Sequence, residues 1–162
     1  MKNKAIFFDR DGVINDDKDH YYVTSPDLFE LNKGITELMK HFREKGYLMI
    51  VVSNQGGIAK NLYTHEDVAA IHDKMNRLLQ AEGLHFDEIY YCPHHPDTGK
   101  CICRKPGTLF FEKALSRFNI DPAVSYFIGD RDSDEEAGKR AGLNTIKIER
   151  NSNPAVLIKL FS

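Results

Sequence analysis

Short apolar segments alternate with amphipathic helical patterns along the whole chain. The apolar segments are rich in β-branched or aromatic residues and are bounded by Gly, Asp or Asn, which predicts strands at residues 4–8, 47–53, 88–92, 125–129 and 144–148. Helical patterns separate these strands. The alternation predicts an α/β fold, with a Rossmann-like, doubly wound, mostly parallel sheet that helices cover on both faces. Ligands of such sheets bind at the carboxyl ends of the strands.

The helical patterns have recognisable periods and starts. Between Ile35 and Phe42 the apolar residues recur at i, i+3, i+4 and i+7, which predicts a helix over residues 34–45. Thr64 and Asp67 have the spacing of a capping box at the start of the next helix. Further helices are predicted at 109–118 and 133–141, with a C-terminal turn that begins at Asn153 and Pro154.

The composition fits one globular domain, which we expect to span residues 1–162 and to be a monomer. A formal net charge of −2 argues against a nucleic-acid partner, because binding to phosphate backbones needs an excess of Lys and Arg. No stretch approaches the roughly 18 apolar residues of a membrane span, and the apolar run near the N-terminus is too short for a signal peptide. We therefore expect a cytoplasmic protein with no membrane partner.

Polar side chains follow three of the predicted strands. Asp9 and Asp11 end the first strand, Ser53 and Asn54 end the second, and Asp130 follows the fourth. Because parallel strands end at one edge of the sheet, these side chains should converge. Two carboxylates at i and i+2 point the same way, and either a Mg²⁺ ion or protonation of one of them would relieve their repulsion. The alternative is that Asp-Arg-Asp-Gly forms only a turn.

Groups suited to an anion lie in two loops. The glycines of the sequence NQGG, which follows Ser53 directly, allow backbone amides to approach an anion closely. Arg104 and Lys105 precede a Pro-Gly pair, which predicts a surface loop. Taken singly, Ser53 is also compatible with a local backbone hydrogen bond, and both cations are compatible with solvated surface charge.

All three cysteines lie in residues 92–103. Their close spacing beside histidine is unsuited to a disulfide framework. It predicts a closed, structural Zn²⁺ site with a Cys₃His ligand set: Cys92, His94, Cys101 and Cys103. His95 is the competing ligand, and three free thiols are the alternative. Such a site would hold the loop that delivers Arg104 and Lys105.

The motifs, taken in order, resemble those of the haloacid dehalogenase superfamily of phosphotransferases. The matching positions are Asp9-x-Asp11-Gly12-Val13, Ser53, Lys105, and Gly129-Asp130 with Asp134. More narrowly, FFDRDGVIN, VSNQGGIA, YYCPHHP, CICRKPG and IGDRDSD are similar to the branch that holds heptose-bisphosphate phosphatases and histidinol-phosphate phosphatases. Many superfamily members insert a cap domain. The short interval from Asp9 to Ser53 predicts a fold without one.

The resemblance implies roles for the residues at the strand ends. Asp9 would be the nucleophile and form an aspartyl-phosphate. Asp11 would protonate the leaving oxygen and then activate water, for which it needs a raised pKa. Mg²⁺ would be held by Asp9, by the backbone carbonyl of Asp11 and by Asp130. Ser53 and Lys105 would hold the phosphoryl oxygens.

Other residues are expected to contact the substrate. The resemblance implies this role for Arg104, and for Arg131 at a position where the heptose enzymes often carry Lys. The NQGG amides and the loop after the first strand complete the set: Asp19, His20, Tyr21, Tyr22, Asn54, Gln55 and Gly56. For that loop, a plain polar surface segment is the alternative.

The sequence therefore predicts a Mg²⁺-dependent phosphatase with a structural Zn²⁺ ion and a small sugar phosphate as substrate. The leading substrate is D-glycero-D-manno-heptose 1,7-bisphosphate, converted to the heptose 1-phosphate of lipopolysaccharide metabolism. The nearest alternative is a histidinol-phosphate phosphatase of histidine biosynthesis. Two other classes are a phospho-receiver and a zinc-stabilised interaction module.

Overall fold

Five parallel strands form one sheet in this computed structural model, which describes residues 1–161. In chain order the strands are β1 (Ala5–Phe8), β2 (Leu48–Asn54), β3 (Glu88–Cys92), β4 (Tyr126–Gly129) and β5 (Asn144–Lys147). Their order across the sheet is β3-β2-β1-β4-β5, and each neighbouring pair is parallel. The parallel sheet predicted from the sequence is confirmed.

Four helices separate the strands at the predicted places. They are α1 (Ile35–Glu44), α2 (His65–Gln80), α3 (Leu109–Arg117) and α4 (Asp132–Arg140). The capping box at the start of α2 is present, because the Thr64 hydroxyl accepts from the Asp67 amide at 3.1 Å and Asp67 accepts from the Thr64 amide at 2.8 Å. Short 3₁₀ helices occupy Pro26–Leu28, Pro122–Val124 and Pro154–Phe161.

The sheet separates two hydrophobic cores. Alternate side chains of β1 enter different cores: Ile6 and Phe8 pack with α1 and α2, whereas Ala5 and Phe7 pack with α3 and α4. All four side chains are fully buried. A strand that is covered on both faces needs apolar residues at every position, which is why β1 is a continuous apolar run.

The order in which successive strands are added to the sheet reverses beside β1. From β1 the chain builds outward to β2 and β3, then returns to place β4 on the other side of β1. Ligands of open α/β sheets bind at such a switch point, beyond the carboxyl ends of the strands. Between β1 and β2 the described chain forms α1 and one 3₁₀ turn, so this interval holds no cap domain. Among residues 1–161, no helix combines the length and apolarity that crossing a membrane requires.

Candidate active site

Asp9, the residue after β1, forms a buried ion pair with Lys105. The Lys105 ammonium lies 2.8 Å from Asp9 Oδ1 and 2.7 Å from Asp134 Oδ1, and it donates to the Val52 carbonyl at 2.9 Å. The side chain of Lys105 is only 2% exposed. A lysine from the loop after β3 therefore reaches two carboxylates that come from β1 and α4.

The ion pair sets the charges at this point. Burial disfavours the ammonium, but the carboxylates of Asp134 and Asp9 outweigh it and raise the pKa of Lys105. Burial and repulsion from Asp134 raise the pKa of Asp9 well above its usual range, although Lys105 acts in the opposite direction. Cationic charge in addition to that of Lys105 would favour the ionised form of Asp9.

Asp11 lies among hydrogen-bond donors. Arg10 donates to Asp11 Oδ1 from Nε at 3.0 Å and from Nη2 at 2.8 Å, Asn15 donates to the same oxygen at 3.0 Å, and Gln55 donates to Oδ2 at 2.9 Å. Burial acts to raise the pKa of Asp11, but the Arg10 guanidinium and these hydrogen bonds lower it overall. The raised pKa that Asp11 needs in order to act as an acid is therefore not present in the free site, because all these donors favour the carboxylate.

The end of β2 supplies supporting contacts to Asp11 and to the loop that carries Lys105. Gln55 Nε2 donates to Ser53 Oγ at 2.8 Å as well as to Asp11, and Gln55 Oε1 accepts from the Tyr63 hydroxyl at 2.6 Å. Asn54 Oδ1 accepts from the backbone amide of Lys105 at 3.1 Å. Gln55 and Asn54 therefore orient Asp11 and the Lys105 loop within the protein.

The start of α4 completes an acidic cluster suited to a hard cation. Oxygens of Asp9, Asp130 and Asp134 lie within 4.8 Å of one another. Asp130 Oδ1 is buried and has no hydrogen-bond partner among the described residues. Asp134 Oδ2, by contrast, accepts from the amides of Asp130 and Arg131 at 3.1 Å each. A buried carboxylate oxygen without a donor fits Mg²⁺, which prefers oxygen ligands.

A cavity of about 70 Å³ opens above Asp9 and Asp11. Most of the predicted substrate residues line it: Tyr21, Tyr22, Asn54, Gln55, Gly56, Arg104 and Arg131. Asp19 and His20 are exposed and do not line it, so the structure does not bring these two to the site. At Gly56 a Cβ atom would come within 3.0 Å of Arg104 Nη1, so the absence of a side chain lets the two loops approach closely.

The four predicted zinc ligands lie together at the end of β3. Their ligand atoms are all within 4.8 Å of one another. His94 Nδ1 is 3.4 Å from Cys92 Sγ and 3.3 Å from Cys103 Sγ, and the Cys92–Cys101 sulfur distance is 3.6 Å. Tetrahedral Zn²⁺ with bonds of about 2.3 Å to sulfur separates sulfurs by about 3.8 Å, so the Cys92–Cys101 pair already has the required spacing, whereas the 3.0 Å between the sulfurs of Cys92 and Cys103 would have to widen. Three thiols and an imidazole are the donor types that fit the ion. His95 lies outside the cluster and its Nδ1 accepts from the Asp97 amide.

Several site residues were not predicted from the sequence. Arg10, Tyr63 and Arg150 contact Asp11, Gln55 and Asp130 respectively. The sequence marks Asp134 only as part of a motif, although its carboxylate binds Lys105. The position of Arg150 is a usable signal, because it follows β5 at the same edge of the sheet as the predicted site residues. Nothing in the sequence marks Tyr63, which reaches the site only through folding.

Comparisons with known proteins agree with this geometry. A family profile described as HAD-hydrolase-like matches residues 102–158. The D-glycero-beta-D-manno-heptose-1,7-bisphosphate 7-phosphatase of Haemophilus ducreyi is 40% identical over 151 residues, which cover 90% of this chain and 82% of that protein. The D-glycero-alpha-D-manno-heptose-1,7-bisphosphate 7-phosphatase of Campylobacter jejuni is 40% identical over 146 residues, with coverage of 90% and 82%.

A solved structure of a named heptose-bisphosphate phosphatase has a similar fold. The D,D-heptose 1,7-bisphosphate phosphatase from B. bronchiseptica, complexed with magnesium and phosphate, superimposes with a TM-score of 0.84 at 32% identity. The match covers 98% of this chain and 87% of that one. With relatives at 40% identity over nine-tenths of its length, the chain belongs to the heptose-bisphosphate phosphatase family of the haloacid dehalogenase superfamily, whose enzymes are phosphoric monoester hydrolases.

Proposed function

We propose that this protein removes the C7 phosphate of D-glycero-D-manno-heptose 1,7-bisphosphate and releases the heptose 1-phosphate. The observation that carries the proposal is the buried pair of Asp9 and Lys105, 2.8 Å apart at the base of a cavity lined by arginines. It joins a carboxylate nucleophile to a cation that can neutralise a phosphoryl oxygen. The substrate named for the relatives supports the choice of sugar.

Two carboxylates divide the reaction between them. A carboxylate oxygen of Asp9 forms a bond to phosphorus while the bond from phosphorus to the sugar oxygen breaks, and Asp11 donates its proton to that leaving oxygen. Water then attacks the phosphorus of the aspartyl-phosphate, gives a proton to Asp11 and releases inorganic phosphate with Asp9 restored. Lys105 binds a phosphoryl oxygen in both steps.

Asp9, Asp130 and the backbone carbonyl of Asp11 would hold Mg²⁺. When bound, the ion supplies positive charge that keeps Asp9 ionised and offsets the charge of the phosphoryl oxygens. Asp11 is held as a carboxylate in the free site by Arg10 and Gln55. Arrival of a phosphate group adds negative charge beside it, which favours the protonated form that the leaving oxygen requires.

The charges around the cavity favour a second anionic group on the substrate. Arg104 and Arg131 line the cavity, whereas Arg150 is already paired with Asp17 and Asp130. A heptose bisphosphate presents a second phosphate to the guanidinium groups of Arg104 and Arg131. Histidinol phosphate instead presents a protonated amine, which the same cations would repel. The 1,7-bisphosphate is therefore the better match.

The proposal extends to a structural Zn²⁺ ion held by Cys92, His94, Cys101 and Cys103. A closed set of four protein ligands leaves no position for substrate. Its support is the convergence of the four ligand atoms within 4.8 Å. Arg104 and Lys105 follow Cys103 directly, so the ion would fix the loop from which both reach the cavity.

Steady-state kinetics with Mg²⁺ test the proposed function. We expect sustained phosphate release from the 1,7-bisphosphate, with a higher kcat/KM than for histidinol phosphate. Both anomers should be assayed, because relatives named for each are 40% identical to this chain. Asp9→Asn is expected to lower kcat by at least about 10³-fold.

Each alternative has its own outcome in this assay. A higher kcat/KM for histidinol phosphate would overturn the substrate assignment. A single burst of phosphate without further turnover would favour a phospho-receiver. Undiminished activity of Asp9→Asn would contradict the proposed nucleophile, and absence of phosphate release by the original protein would favour an interaction module.

A further inference from the structure

Arg150, just beyond β5, bridges two buried carboxylates. Its Nη1 donates to Asp130 Oδ2 at 3.1 Å, its Nε donates to Asp17 Oδ1 at 3.0 Å, and its Nη2 also contacts Asp17. The side chains of Asp17 and Asp130 are 0% and 1% exposed. Loss of this ion pair would cost more than loss of an exposed surface pair, because water cannot replace the guanidinium at the two buried carboxylates.

The two oxygens of Asp130 have different surroundings. Arg150 occupies Oδ2, whereas Oδ1 is buried and has no hydrogen-bond partner among the described residues. Oxygens of Asp130, Asp9 and Asp134 lie within 4.8 Å of one another. A donor fixed on one oxygen sets the torsion angle of the carboxylate and leaves the other oxygen for a cation.

The backbone beside Arg150 is tied to the loop after β1. The Asn151 amide donates to the Gly12 carbonyl at 2.8 Å, and Asn151 Oδ1 accepts from the Asp17 amide at 3.0 Å. Gly12 has φ +89°, and a Cβ there would lie 2.6 Å from Arg150 Cγ and 2.9 Å from Asp130 Oδ2. The contact thus joins three segments that are distant in sequence.

We propose that Arg150 is a positioning residue that holds Asp130 in the orientation required for Mg²⁺, with Asp17 as the anchor that fixes the guanidinium. The inference rests on the proposed Mg²⁺-dependent function and adds residues that the resemblance did not assign. Arg150 acts through Asp130, so its effect is on metal binding and not on the chemical step directly.

The direction in which metal affinity changes when Arg150 is replaced distinguishes a positioning role from an effect of its charge. A cation near a metal site repels the metal, so removing the charge of Arg150 alone would tighten metal binding. Loss of positioning would weaken it. The double variant Asp17→Asn/Arg150→Met leaves the net charge unchanged and leaves no unpaired carboxylate at position 17. It therefore isolates the orientation of Asp130.

The experiment is a titration with Mn²⁺, followed by electron paramagnetic resonance, of protein freed of Mg²⁺ and containing no phosphate ester. We expect the Asp17→Asn/Arg150→Met variant to bind Mn²⁺ about 10-fold more weakly than the original protein. The matched control is Glu136→Gln/Arg140→Met, which removes an exposed ion pair of α4 with the same change of charge. The control should keep the original Kd.

Arg150→Lys is the second variant, and it keeps the inference testable if the double variant does not fold. Its ammonium keeps the charge but lacks the fork that spans Asp17 and Asp130, so we expect Mn²⁺ binding to weaken severalfold. An unchanged or tighter Kd in a folded variant would overturn the inference. If the original protein binds no Mn²⁺, the Mg²⁺-dependent function fails with it. If the original protein and the variant bind Mn²⁺ equally well, only the role proposed for Arg150 fails.

Discussion

At the scale of single residues, Gln55 connects more groups than its place in the sequence suggests. Its amide donates to Asp11 and to Ser53 while its oxygen accepts from Tyr63. Burial raises the pKa of Tyr63 to about 12, so the hydroxyl stays a donor at neutral pH. The Tyr63 hydroxyl therefore determines which end of the Gln55 amide faces Asp11.

Tyr63→Phe tests this arrangement. Removal of the hydroxyl leaves Gln55 Oε1 unpaired in a buried position, which should lower the free energy of unfolding by about 1–3 kcal/mol. The amide is also free to turn, so kcat should fall severalfold while KM changes less. Urea denaturation and steady-state kinetics measure the two effects. Tyr126→Phe is the control, because Tyr126 lies at the opposite end of the sheet, at the start of β4.

A kcat for Tyr63→Phe equal to the original value would show that Gln55 keeps its orientation without the phenol. A loss of kcat of the same size in Tyr126→Phe would point to a general loss of packing instead. Only a loss that is specific to Tyr63 supports a path from the phenol through Gln55 to Asp11.

At the scale of elements, the segment between β3 and α3 is a loop without a hydrophobic face to pack on the sheet. It has a cluster of cysteines and a histidine instead. Cys92 is the last residue of β3, so one ligand is fixed by the sheet. The other three lie on the loop, which leads directly into Arg104 and Lys105. The proposed Zn²⁺ ion, in place of hydrophobic packing, would hold the segment that presents these two cations.

Matched histidine variants test the ligand set. His94→Gln should reduce the zinc content of purified protein well below one ion per chain and lower kcat/KM, because the loop that carries Lys105 loses its attachment. His95→Gln should retain one zinc per chain, since His95 lies outside the cluster. Elemental analysis by mass spectrometry measures both. Loss of zinc in the second variant but not the first would assign the ligand to His95.

Local sequence patterns predict the strands and helices well but do not predict the contacts between distant residues, and both results have physical reasons. The strands and helices could be predicted because their periodicity is local. The convergence of Asp9, Ser53 and Asp130 could be predicted because strand ends in a parallel sheet meet at one edge. Contacts such as Arg150 with Asp17 join positions far apart in sequence, and no local pattern encodes them. The lowered pKa of Asp11 likewise depends on Arg10 and Gln55 having folded around it.

At the scale of the whole molecule, a buried imidazole couples stability to pH. The fully buried guanidinium of Arg10 donates from Nη1 to His72 Nε2 at 3.2 Å, so that nitrogen carries no proton and the ring is neutral. Burial, and then the charge of Arg10, lower the pKa of His72 to about 3. The unfolded chain has an ordinary histidine with a pKa of about 6.5.

The sign of the pH effect follows from these two values. Above pH 6.5 both states hold a neutral ring, and His72 adds no pH dependence. As pH falls from about 6.5 towards 3 the unfolded state binds a proton that the folded state does not, so stability is lost at up to about 1.4 kcal/mol per pH unit. The buried histidine thus opposes the folded state in mild acid.

His72→Gln should remove this contribution while its side-chain oxygen still accepts from Arg10. We expect the free energy of unfolding, measured in urea, to fall by about 2 kcal/mol less in the variant than in the original protein between pH 7.5 and pH 5. Other groups titrate in both proteins and cancel in the difference. Parallel curves over this range would mean that His72 takes up its proton in the folded state, and that the hydrogen bond from Arg10 does not hold the ring neutral.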